Sequence, residues 1–334
     1  MKVAKIVTTR NLTIHFETID GTSKVLDGVD LEIGEREIVG LAGETGCGKS
    51  ITAKALLGIL PTPPAKIVSG EVNFLNENIL NLSKKERMVI KHKIGYIPQD
   101  PMTSLNPVFT VGEILVDNLI WRMSNMSFPR YFYLRRVNRI KRIAENRALE
   151  LFRKVNFPDP QAMLGKYPVE LSGGMRQRAL IAMSLVGDPV LLVADEPTTA
   201  LDVTIQKVIL GLLFERITEE NLSGLYITHD LGVARSICNR TYVMYAGTIV
   251  ETAETPLLLD DPLHPYTRGL VNSIPKLTGG KYEGIPGTVP DYFDPPKGCR
   301  FYPRCEKRLQ DCRIDKPKLL EVQKGHFVAC KVFD

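Results

Sequence analysis

The chain has 334 residues, 44% of them hydrophobic, and a formal net charge of +5. That excludes a disordered chain and supplies apolar material for a main domain of about 250 residues with an appendage. No run of about 18 apolar residues occurs and the basic start Met1 to Arg10 has no apolar stretch behind it, so neither a membrane span nor a secretion signal is expected; the protein reads as cytosolic, touching a membrane only through a partner.

Residues Lys5 to Phe16 and Val29 to Ile33 alternate apolar and polar, with Asp20-Gly21 as a turn signal, which predicts an antiparallel β opening. Arg36 to Ala42 reads as a short strand and Ser50 to Leu60 as a helix. Between them Gly43-Glu44-Thr45-Gly46-Cys47-Gly48-Lys49-Ser50 fits G-x-x-x-x-G-K-[ST]. Glycines there let successive N–H groups turn toward phosphate, and the following helix presents its positive end. Lys49 would reach the β- and γ-phosphates of ATP, Ser50 would offer its hydroxyl to Mg²⁺, and the ATP-contacting set would run from Gly43 through Ile51. Cys47 reads as a small side chain that only fills space; the lesser alternative is that its place beside a helix N-terminus lowers its thiol pKa.

The strand Gly70 to Phe74, a helix through Ser83 to Lys93 and the strand Ile94 to Ile97 come next. Gln99 follows, where an amide would touch both Mg²⁺ and water. From Val111 to about Gly187 the pattern is almost wholly helical, an inserted subdomain. It carries Arg122, Arg130, Arg135, Arg136, Arg139, Lys141, Arg142 and Arg147 with Glu145 as the one acid in that stretch. A solvated helix face, an anionic lipid surface and nucleic acid are the three readings of such a stretch.

Near the end of this region Leu171-Ser172-Gly173-Gly174-Met175 opens an apolar helix, so its free N–H donors face an anion. Val190 to Ala194 is a bare apolar run of the kind buried in a parallel sheet, ending in Asp195-Glu196 at the carboxyl edge where ligands sit. Asp195 would hold Mg²⁺ through its water shell, and Glu196 would orient or deprotonate the attacking water. Leu225 to Thr228 is a second such run, and His229 after it would contact the γ-phosphate. The expected class is α/β, a parallel sheet with helices on both faces.

Strands at Arg240 to Tyr245 and Thr248 to Glu251 are followed by Gly279, Gly280, Gly284, Pro286, Gly287, Pro290, Pro295, Pro296 and Gly298, a linker signal with a small tail beyond. Cys299, Cys305, Cys312 and Cys330 sit in that tail, with five, six and seventeen residues between them. Four thiols in a cytosolic tail point to a metal; without paired C-x₂₋₄-C knuckles a [4Fe–4S] cluster fits at least as well as zinc, with free thiols or a disulfide as the remaining possibility. Arg300, Arg304 and Arg313 would offset a cluster's charge. Cys238, on a helix of apolar spacing, reads as core.

The order of these motifs resembles the ATP-binding cassette family of transporter ATPases over about residues 5 to 255. That resemblance implies a P-loop ABC nucleotide-binding domain over 1–255, with a mixed-sheet core, an antiparallel β subdomain and a helical subdomain at about 111–187. It makes Leu171 to Met175 the signature, whose Ser172, Gly173 and Gly174 would close on ATP held by another cassette. Gln99 becomes the Q-loop residue, Ala200-Leu201-Asp202 the D-loop, His229 the switch histidine and Phe16 the platform for adenine. Gln99 to Pro107 and His264-Pro265-Tyr266-Thr267 resemble more narrowly the dipeptide and oligopeptide importer ATPases. This implies a small Cys-rich C-terminal domain over 256–334 whose four cysteines hold a [4Fe–4S] cluster, as in some members.

The implied partners are a homologous second ATPase subunit, two transmembrane permeases and an extracytoplasmic peptide-binding protein, with no nucleic acid. The chain would work at the cytoplasmic side of the membrane as a peripheral subunit, its ATP hydrolysis coupled to import. The alternative is a DNA-repair-type ABC ATPase, whose coiled coils or in-cassette zinc insertions have no counterpart in this sequence.

Overall fold

In the computed structural model, described over residues 4–125, 127–199, 201–274 and 284–333, the chain forms two compact units. One runs to Leu82 and resumes at Leu225; the other spans Ser83–Gly224.

The opening alternation becomes a long hairpin. Strand β1 (Lys5–Thr18) pairs antiparallel with β2 (Gly21–Gly34), and Leu12, Ile14, Leu26 and Leu31 turn inward with no exposed surface. Strand β3 (Ile38–Ala42) is buried at every residue, which is why its sequence carries no alternation. The helix Lys49–Leu56 follows, then β4 (Ala65–Phe74), antiparallel to β1, and the short β5 (Glu77–Asn78). These give a sheet of order β2-β1-β4-β5.

In the second unit, β6 (Ile94–Ile97) lies parallel to β7 (Leu191–Asp195). Helices Val111–Met123, Phe128–Arg135, Asn138–Lys154 and Gly173–Ser184 occupy the interval between them. The first is stopped at its N-terminus by a capping box, Thr110 accepting from the Glu113 N–H while Glu113 accepts from that of Thr110. Part of the basic stretch is structural: Arg122 donates to the carbonyls of His92 and Gly187, and Arg147 pairs with Glu150 and Asp188.

Strand β8 (Ser223–Thr228) brings the chain back to the first unit, where β9 (Arg240–Tyr245) runs parallel to β3 and β10 (Thr248–Glu254) antiparallel to β9. The tail then adds β11 (Leu320–Gln323) and β12 (His326–Val328), the latter antiparallel to β10. The order within this unit is β11-β12-β10-β9-β3-β8. The sheet is thus mixed rather than parallel throughout.

The tail also enters the core. Phe301 is 3% exposed and its ring centroid lies 5.0 Å from that of Tyr245 and 5.5 Å from that of Tyr266. His264, buried beside this cluster, caps the helix Pro265–Asn272 by accepting the Tyr266 N–H at Nδ1. Burial pushes its pKa down to about 3, so the imidazole is neutral and its acceptor nitrogen is available for the cap. Among the described residues, no helix is long and apolar enough to cross a membrane.

Candidate nucleotide-binding site

The phosphate loop joins β3 to the helix Lys49–Leu56 in the first unit, the strand–loop–helix context its motif requires. Gly43 has φ +155°, and a Cβ built there would fall 2.2 Å from the Met244 carbonyl oxygen, so this position tolerates only glycine. Lys49 is 4% exposed, and its ammonium donates to the Gly43 carbonyl at 2.8 Å and the Glu44 carbonyl at 3.0 Å. Thr45 and Gly46 are exposed at the tip, while Ser50 and Ile51 are half-buried.

Cys47 follows the space-filling reading and not the alternative of an activated thiol. It is 1% exposed, and burial raises its pKa against the smaller opposing pull of Lys49. The desolvation cost of a thiolate outweighs the helix-terminus field, so this side chain fills space.

Phe16 is half-buried in β1, opposite Ser23 of β2 and Ala65 of β4. His229 is exposed directly after β8, ahead of Asp230, which caps the helix Leu231–Ile237.

In the second unit, β7 ends in the predicted carboxylates. Asp195 is 3% exposed and is hydrogen-bonded by the Tyr96 hydroxyl; burial and then the Asp195 charge push that phenol up to about 12. Glu196 is 8% exposed and sits at φ 45°, a left-handed conformation that a glutamate adopts only when its surroundings impose it. Its Oε2 accepts from Gln99 Nε2 and from Thr199 Oγ1, both at 3.2 Å. Two residues the sequence places 97 positions apart therefore meet.

Ser172 caps the helix Gly173–Ser184, accepting the Met175 N–H at 3.3 Å. A Cβ on Gly174 would come 2.8 Å from Ile205 Cγ2, so the glycine permits close approach of the helix Val203–Glu219. Asp202 begins that helix, its carboxylate accepting from Thr204 and Ile205 N–H groups. Ala200 of the same loop lies outside the described residues, as do Gly279 and Gly280 of the linker.

The expected [4Fe–4S] or zinc site is not supported. Among the described residues no group of three or more His, Cys, Asp or Glu side chains is arranged to hold a metal ion. The thiols are neighbours without being a ligand set: Cys305, Cys312 and Cys330 each raise Cys299, but burial is the larger cause and pushes that thiol up to about 12. Cys299 and Cys305 pack against the Tyr245 cluster, while Cys330 belongs to a separate one with Leu263 and Val328. Nor do Arg300 and Arg304 serve as counter-charges for thiolates. Arg300 donates to the Lys24 and Ala246 carbonyls, and Arg304 pairs with Glu44. That pair, together with Tyr266 and Tyr292 at the phosphate loop, escaped the sequence reading. His264-Pro265-Tyr266-Thr267 was the one signal nearby.

A buried strand, a glycine-dependent phosphate loop with an inward lysine, and a strand-end Asp-Glu pair define a P-loop nucleotide-binding protein. The family described as ABC transporter matches residues 26–199, and the one described as oligopeptide/dipeptide transporter, C-terminal region, matches residues 250–312. The chain belongs to the ABC transporter family. It is 44% identical over 333 residues to the probable peptide ABC transporter ATP-binding protein y4tR of Sinorhizobium fredii, covering 98% of this chain and 95% of that one. Identity to the dipeptide transport ATP-binding protein DppD of Bacillus subtilis is 40%, over 99% and 95% of the two chains. A solved dimeric structure of the ATP-binding cassette MJ0796 in a post-hydrolysis state, bound to ADP and Pi, is similar with a TM-score of 0.63 at 27% identity, covering 75% of this chain and 98% of that one.

Proposed function

We propose that this chain is the ATP-hydrolysing subunit of a dipeptide or oligopeptide importer, working at the cytoplasmic face of a membrane with two permeases, an extracytoplasmic binding protein and a homologous second ATPase. The observation that carries the reading is the C-terminal match over residues 250–312, which adds a peptide-importer region to a cassette that many transporters share. The same reading divides the chain at about residue 255 into an ATPase domain and its extension.

In the first unit, Lys49 binds the β- and γ-phosphates, Ser50 offers its hydroxyl to Mg²⁺, Phe16 stacks on adenine and His229 contacts the γ-phosphate. In the second, Asp195 would hold Mg²⁺ through its water shell, Gln99 would touch both Mg²⁺ and water, and Glu196 would orient the attacking water or take its proton. The hydroxyl, amide and carboxylate oxygens of these residues suit a hard cation, which when bound offsets phosphate charge. Ser172, Gly173, Gly174 and Asp202 face the nucleotide of the partner cassette, so that ATP joins two subunits and hydrolysis parts them.

ATP turnover measured with membranes holding the cognate permeases tests this reading. Stimulation by those membranes is expected; stimulation by DNA instead would favour the DNA-repair-type ATPase. Phe16→Ala is expected to weaken ATP binding by about 1 kcal/mol, roughly fivefold in Kd, through lost stacking. Inorganic phosphate binding should not change. Calorimetry with ATP checks this, and unchanged ATP affinity would remove Phe16 as the adenine platform.

A further inference from the structure

The phosphate loop is held from outside its motif. Glu44, its second residue, is gripped at three points. Its N–H donates to the Tyr266 hydroxyl at 2.9 Å. Its carbonyl accepts from the Lys49 ammonium at 3.0 Å. Its carboxylate receives a two-pronged pair from Arg304, Nη1 to Oε2 at 2.7 Å and Nη2 to Oε1 at 3.0 Å. At the tip, the Tyr292 hydroxyl donates to the Gly46 carbonyl at 2.8 Å. Tyr266, Tyr292 and Arg304 all lie beyond β10, more than 200 positions from the loop they touch.

Arg304 is built to stay where it is. Its side chain is 5% exposed. Besides Glu44 it donates from Nε to the Pro286 carbonyl at 2.9 Å, from Nη2 to the Ile285 carbonyl at 3.0 Å and from Nη1 to the Tyr245 hydroxyl at 3.4 Å. A guanidinium has five N–H donors in a rigid fork, and these contacts engage the whole fork. The fork therefore fixes the Glu44 carboxylate, and the Glu44 carbonyl in turn fixes the ammonium that meets ATP.

Charge adds to geometry. A carboxylate one residue from the loop's first glycine repels a polyphosphate unless it is neutralised. The paired guanidinium supplies that neutralisation through two charge-assisted hydrogen bonds.

We propose that the C-terminal extension sets the shape and charge of the phosphate loop, with Arg304 as a positioning residue for nucleotide that acts through Glu44. The inference rests on the chain being an ATPase. It assigns the extension a task inside the ATP site of its own chain, in addition to any contact with other subunits.

The test is steady-state ATP hydrolysis by the full-length chain carrying Arg304→Gln, Arg304→Gln with Glu44→Gln, and Tyr292→Phe, each with a melting temperature taken without nucleotide. Arg304→Gln is expected to raise KM for ATP about tenfold while kcat stays within about twofold, because the loss falls on nucleotide binding. Adding Glu44→Gln is expected to lower that KM again by at least about threefold, since the uncompensated carboxylate is gone. Strictly additive effects, or a lower melting temperature with KM unchanged, would overturn the proposal and leave Arg304 as a packing residue. Should Arg304→Gln fail to fold, Tyr292→Phe removes a single hydroxyl from the same contact set; a KM rise of about threefold supports the latch and an unchanged KM refutes it. A wild-type chain that never hydrolyses ATP would instead sink the ATPase reading itself.

Discussion

Glu196→Gln is expected to lower ATP turnover by about 10³-fold while leaving ATP affinity within about threefold, the loss typical of removing a general base. The substitution keeps side-chain length and shape, so the left-handed backbone at φ 45° and the burial of the position persist. What changes is the acceptor. Gln99 Nε2 and Thr199 Oγ1 both donate to Oε2, which orients the carboxylate by two hydrogen bonds on one oxygen. An amide reproduces that orientation with its own oxygen and cannot take a proton from water. Bound ATP is then not consumed, and an ATP-dependent dimer accumulates. Single-turnover hydrolysis with a gel-filtration profile checks both. Undiminished turnover would place the base elsewhere, and lost binding would mean that Glu196 acts on the nucleotide itself.

The strands that border this chemistry were legible because burial on both faces leaves an unbroken apolar run. Ile94 to Ile97 matched β6 at both ends, and Val190 to Ala194 and Leu225 to Thr228 fell within one or two residues of β7 and β8. The phosphate loop was equally legible, since few other folds need that glycine spacing before Lys-Ser. Elements stabilised by distant partners were not. The first half of β4 follows Pro61, Pro63 and Pro64, and it is a strand because Ala65 pairs with Phe16 of β1. β11 and β12 are too short to show a pattern of their own, and they are held through the pairing of β12 with β10, over seventy positions upstream.

The errors over the cysteines and arginines have one cause. Composition counts charges and thiols but does not say what faces them. Four cysteines in one tail suggested ligands, yet apolar packing takes up Cys299 and Cys330 in two different clusters. Arg304, read as a neighbour of thiolates, reaches a glutamate 260 positions away. A pair so remote leaves no local pattern. At Cys47 the residue type was the better guide than the field of the helix N-terminus, which is outweighed by burial at 1% exposure.

Glu251→Ala is expected to cost about 3 to 5 kcal/mol of stability, the range seen when one member of a buried charged or hydrogen-bonded set is deleted. Glu251 in β10 and His326 in β12 have no exposed side-chain surface, and His326 Nε2 lies 2.7 Å from Glu251 Oε1. The same carboxylate accepts the Leu263 N–H at 2.7 Å and the His264 N–H at 2.9 Å. One residue thereby secures the tail strand and the start of the helix that carries Tyr266 to the phosphate loop. Alanine leaves two amides and an imidazole buried without their acceptor, and the space is too enclosed for bulk water to repair them. Glu251→Gln keeps one acceptor oxygen and should lose less, about 1 to 2 kcal/mol. Urea unfolding of both variants, read as midpoint shifts at unchanged slope, separates these values. A loss below about 1 kcal/mol for alanine would mean that the tail strand can detach without cost to the cassette. The hold on Glu44 would then rest on the contacts of Arg304 with Pro286, Ile285 and Tyr245 and on the Phe301 ring cluster, without the carboxylate that anchors the helix bearing Tyr266.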